Sequence, residues 1–164
     1  MRVSAILYPA AALAALAIAG CSSNDDVNGS VSCSVTFSGA ATGTYNCGTV
    51  SAAYTTASAT SAFAFFVSSP ALTVAISIPG ELAATNYTNN TSGANGGITL
   101  TSGSTTYYAV LNTGNTLGTF TLHLTSVSLL TTGASGKTYV VHGTLNGVLA
   151  PTSAGASVTM SSTF

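Results

Sequence analysis

The chain predicts an all-β fold, an antiparallel β-sandwich of about eight or nine strands. Three observations carry that expectation. Apolar and polar residues alternate with period two along most of the chain after residue 33, as half-buried strands require. Thr, Val and aromatic residues fill these runs, whereas helix-forming Leu, Glu, Lys and Arg are scarce. Clusters of Gly, Pro, Asn and Ser break the runs at intervals of about 8–14 residues.

Each element has its own justification. Val35, Phe37 and Tyr45 flank the turn-like segment 38–43. A hairpin about Ala40 sets Cys33 opposite Cys47, Val35 opposite Tyr45 and Phe37 opposite Gly43, all on one face. Phe63, Phe65 and Val67 alternate up to the Ser68-Ser69-Pro70 break. Leu72, Val74, Ile76 and Ile78 then alternate with small residues until Pro79-Gly80, the clearest strand in the chain. Residues 85–97 read as an Asn/Gly/Thr loop with at most a short strand at Tyr87, and 98–100 with 107–111 as a hairpin. Residues 112–118 read as a turn.

Phe120, Leu122 and Leu124 share a face, and the phase then slips. A bulge near Ser126 would bring Val127 and Leu129 onto the apolar side. Residues 138–150 place Val141, Leu145 and Leu149 on one face with Gly143 and Gly147 between them. Asn146-Gly147 is a hairpin dipeptide, but a turn there leaves a three-residue return strand. Pro151 to Gly155 offers the better turn, with 158–164 beyond it.

Composition limits the chemistry. Charged residues make up 3% of the chain, against roughly 25% in an ordinary domain. Neither nucleic acid nor a nucleotide is an expected partner, and an active site built on several carboxylates is excluded. From residue 33 onward only Glu81 and Lys137 carry charge.

The N-terminus reads as an address. Met1-Arg2 precedes an apolar run over 5–19, too short for a comfortable bilayer span of ~20 residues. The run ends in Ile18-Ala19-Gly20-Cys21, which resembles the lipobox of bacterial lipoproteins. The resemblance implies cleavage of a signal peptide over 1–20 and lipidation of Cys21 with palmitate-type chains. A lipid-anchored tether over 21–32 and a single domain over 33–164 follow. It also implies attachment to the membrane through that lipid, in the cell envelope. Ser22, where the family's inner-membrane signal is Asp, points to the outer membrane. The domain itself resembles small exported β-sandwich domains of such lipoproteins with no assigned activity, and no specific family. A rival eight-stranded β-barrel is opposed by the lipobox, the uneven strands and the lack of an aromatic girdle.

Export to an oxidising compartment makes a Cys33–Cys47 disulfide the expectation, and the hairpin register supports it. A redox or metal pair is the alternative, without CxxC spacing to support it.

Other candidate sites weaken on inspection. Gly133 to Thr138 contains Gly-Lys-Thr, but it lacks the first Gly of a phosphate loop and precedes a strand. His123 and His142 fall on polar faces and are weak metal candidates, because a lasting site needs further ligands. No metal or cofactor is expected. A small hydrolase using His123 or His142 with Glu81 is the enzymatic alternative to a non-enzymatic structural or binding module. It lacks a second carboxylate and a Gly-x-Ser-x-Gly elbow. A glycan-binding module would use Tyr45, Tyr87 or Tyr107. A flat surface-binding face would use Thr99, Thr101, Thr119 and Thr121. Four Asn-x-Ser/Thr matches, at Asn28, Asn86, Asn89 and Asn90, reflect Asn/Thr richness.

Overall fold

The computed structural model describes residues 32–111 and 117–164. The expected signal peptide, Cys21 and all but the last residue of the tether lie outside them, as does most of the 112–118 turn. The described chain is all-β and antiparallel, with eleven strands. They are β1 (Ser34–Gly39), β2 (Gly43–Asn46), β3 (Ser51–Thr55), β4 (Thr60–Val67), β5 (Ala71–Pro79) and β6 (Asn86–Thr88). After them come β7 (Asn95–Ser102), β8 (Thr105–Leu111), β9 (Thr119–Gly133), β10 (Gly136–Pro151) and β11 (Val158–Thr163). The excess over eight or nine comes from short strands. In β3 only Ala52 is fully buried, and β6 has three residues, so neither shows an apolar alternation.

The strands form two layers that share β10. One layer runs β2-β1-β11-β10-β9-β6 and the other β10-β3-β4-β5-β7-β8. Along one edge, β10 pairs with β3 at 136–138 and with β11 at 144–149. Along the other it pairs with β9 throughout 136–148, and with β8 at Ala150 and Pro151. Asn146-Gly147 lies inside this ladder, and the turn comes after Pro151, as the longer return strand demanded. The branched path of eleven strands is not the single ring of eight that the rival barrel requires.

The buried faces meet in one core. Leu72, Val74, Ile76 and Ile78 of β5 face inward with Phe63 and Phe65 of β4 and Ile98 and Leu100 of β7. Phe120, Leu122, Leu124, Leu145, Leu149 and Met160 come from the other layer. Phe164 closes one side, its ring 5.1 Å from Phe63 and 6.3 Å from Phe65. Its backbone exchanges hydrogen bonds with Gly143. Gly143 is required there, because a Cβ would collide with the carbonyl oxygen of His123.

The first hairpin has the expected register, with Val35 opposite Tyr45 and Phe37 opposite Gly43. Cys33 and Cys47 form a disulfide with Cα atoms 5.1 Å apart.

β9 carries two irregularities against β10. Thr125 and Leu130 each lack an opposite number, because His142 and Gly143 face Ser126 and Leu124, while Thr138 and Tyr139 face Thr131 and Leu129. The first bulge lies one residue from the expected place. Val127 is half-buried against the core, but Leu129 is 58% exposed, contrary to the apolar face expected of it. Leu129 pairs with Tyr139 between the two irregularities, on the part of β9 whose other edge has no backbone partner among the described residues.

Two stability changes are expected. Replacing Cys47 by Ser opens a loop of sequence separation 14 and should cost about 3 kcal/mol in denaturant melts under oxidising conditions. Ser162 is 2% exposed and its hydroxyl has no hydrogen-bond partner among the described residues. Ser162→Ala removes that buried hydroxyl and should raise stability by about 1 kcal/mol in the same melts.

Candidate functional site

Strand alternation leaves an apolar groove on the outside of the second layer. In β4 the core takes Phe63 and Phe65, so Ala64 and Phe66 point the other way; in β5, Thr73 and Ala75 do the same. Small residues here leave a hollow, which Val50 and Ser51 border on one side and Leu130, Thr131 and Thr138 of the β9–β10 arm on another. Its volume is about 700 Å³, within the ordinary range of ligand clefts. Phe66 is 59% exposed and Leu130 47% exposed. No carboxylate, amine or histidine is among the lining residues; Ser, Thr and Tyr139 hydroxyls supply the polarity.

Sequence reasoning missed this groove, although a signal for it exists. Phe65-Phe66 and Leu129-Leu130 are doubled apolar residues in alternating strands. Both members of such a pair cannot face one core. Phe66 and Leu130, the second members, line the groove.

Glu81, Lys137 and Tyr139 form the charged cluster of the described residues. Lys137 Nζ donates to Glu81 Oε1 at 2.6 Å, and the Tyr139 hydroxyl donates to Oε2 at 3.0 Å. These bonds, from Lys137 first and then Tyr139, hold the Glu81 carboxyl below the usual carboxylate range. The same bond raises Lys137. Burial, then the Glu81 bond, raises Tyr139.

The histidines lie elsewhere. His123 and His142 are exposed on neighbouring strands, but the register places His123 opposite Thr144 and His142 opposite Ser126. His123 Nδ1–H donates to Asn86 Oδ1 at 2.5 Å, and the His142 carbonyl accepts the Thr125 hydroxyl at 3.0 Å. Neither imidazole hydrogen-bonds Glu81, whose carboxylate oxygens are taken by Lys137 and Tyr139. Among the described residues no three His, Cys, Asp or Glu side chains come together.

Two of the three tyrosines expected as stacking platforms are unavailable. Tyr87 is 8% exposed, with its hydroxyl bonded to the backbone of Ala83, and Tyr107 is 7% exposed. Tyr45 is half-buried and packs on Phe37. Thr99 and Thr101 lie on β7, Thr119 and Thr121 on β9, in different layers, so they make no common array. Threonines instead bond across strands, Thr36 to Thr44, Thr101 to Thr106 and Thr131 to Thr138.

The Glu81 cluster has a pH signature. A lowered folded-state pKa contributes stability above the ordinary carboxylate value, and that stability is lost as pH falls through the lowered one. Glu81→Gln should therefore be less stable than the unaltered chain at neutral pH, and the difference should vanish in acid. Urea melts across an acidic pH series check this.

Comparison with protein-family models, with curated proteins and with solved structures returns no match for the chain.

Proposed function

We propose that this chain is a non-enzymatic envelope lipoprotein, anchored to the outer membrane through Cys21, that binds an uncharged ligand or partner with its groove. The observation that carries the binding reading is the groove itself: about 700 Å³, bordered by Phe66, Leu130 and Tyr139 and by Ser and Thr hydroxyls, with no carboxylate, amine or imidazole in its lining. Such a lining favours apolar surface and uncharged hydrogen-bonding groups, because nothing in it compensates the desolvation of an ion. Glu81 and Lys137 satisfy each other outside this lining. That pairing leaves the enzymatic alternative without a carboxylate poised beside a histidine.

The anchor rests on Ile18-Ala19-Gly20-Cys21 and on the polar segment that follows it. Two or three acyl chains hold a protein at a membrane stably, whereas one holds it marginally. Mass spectrometry of the membrane fraction is expected to find Cys21 as an acylated N-terminal residue. An unmodified protein in the soluble fraction would overturn the anchor and the localisation. Binding of an uncharged apolar fluorescent probe, lost in Phe66→Asp, tests the groove separately.

A further inference from the structure

The tail of β9 is a strand edge without a neighbour. β6 covers β9 at 121–123, and the Leu124 N–H donates to Thr85. Beyond Leu124, among the described residues, β9 has no backbone partner on the side away from β10. Every second residue of such a run directs its N–H and C=O outward. The other edge strands are short: β2 has four residues and β6 three. Protected edges carry Lys, Pro or an inward charge. Residues 125–133 (TSVSLLTTG) contain none of these; their edge devices are the bulges at Thr125 and Leu130, between which 126–129 pair regularly. They display Leu129 at 58% exposure and Leu130 at 47%.

We infer that the free edge of β9 is a self-association surface, where a second copy of this chain adds its own β9 antiparallel about a two-fold axis. Charge decides for a second copy over a foreign strand. Residues 33–164 hold one acid and one base, Glu81 and Lys137, and the two are paired. The side chains of residues 33–164 therefore sum to zero charge, and Asp25 and Asp26 fall in the expected tether, so no net charge on the domain holds copies apart. A foreign strand chosen by charge would have nothing on this edge to read. The edge is also self-complementary. A two-fold antiparallel pairing centred on Leu129 sets that leucine against its own copy and Ser126 against Thr132, and the pairing consumes both edges, so the assembly closes at two. The two layers would then continue from one copy into the next through β9.

Sedimentation velocity of the full chain, in density-matched detergent where it is membrane-bound, is the test. The unaltered chain is expected to sediment as a concentration-dependent dimer. The double variant Leu129→Lys/Leu130→Lys faces like charges across the pair and should weaken the dimer roughly tenfold or more. Val148→Lys introduces the same charge at an exposed residue of β10, outside the 125–133 edge, and should leave the dimer intact. A monomeric unaltered chain overturns the proposal, as does a dimer that survives the double variant. Hydrogen exchange gives a reading without substitution. Amides within 126–132 should gain protection as concentration rises, and protection independent of concentration overturns the pairing. Leu130 also borders the groove, but dimerisation and exchange of the unaltered chain need neither groove ligand nor acyl anchor, so those readouts stand apart from the proposed function.

Discussion

Hydrogen bonding along both edges of β10 is the constraint from which the rest of the structure follows. A strand has only two edges, and β10 divides them among four neighbours: β3 and β11 on one, β9 and β8 on the other. Its sixteen residues therefore belong to both layers. The core lies between those layers because Val141, Leu145 and Leu149 point into it. Gly143 and Gly147 keep the same face low enough for close approach, the first beside His123 and the second opposite Ile98. The β9–β10 arm borders the groove, and the free edge is the part of β9 beyond Leu124.

How much of this was legible depends on the length of each alternating run. β5 shows four apolar side chains at period two, and β1 with β2 carries a turn and two cysteines that set the register; both were readable in full. The burial of β3 rests on Ala52 alone, which leaves no pattern to detect. Leu129 shows a deeper limit. Alternation assigns a residue to a face, but only the extent of the opposing layer decides whether that face is covered. Tyr87 and Tyr107 show the converse, since aromatic rings in a polar context packed inward when a partner surface was available. The groove was unreadable as a shape, although the doubled residues at Phe65-Phe66 and Leu129-Leu130 marked its walls.

Hydroxyl groups give so uncharged a chain much of the polarity of its outer face. On both layers many outward positions hold Thr and Ser, which hydrate without the long side chains and entropy cost of Lys or Glu. Several bond to one another across strands, as Thr131 does to Thr138 at 2.6 Å. Such pairs stiffen the sheet surface. They also leave it without the ionic steering that charged proteins use, so recognition on this surface works through shape and short-range contact.

The ion pair of Lys137 with Glu81 has one more consequence, for resistance to proteolysis. Peptidases that cut after lysine or arginine find only one such bond in residues 33–164, that following Lys137. It lies in the β10 ladder, where Lys137 is paired with Thr132 on one side and Tyr54 on the other. Its ammonium is held by Glu81. Cleavage there requires β10 to leave both layers at once. The scarcity of charge thus makes the folded domain a poor substrate for an entire class of digestive enzymes.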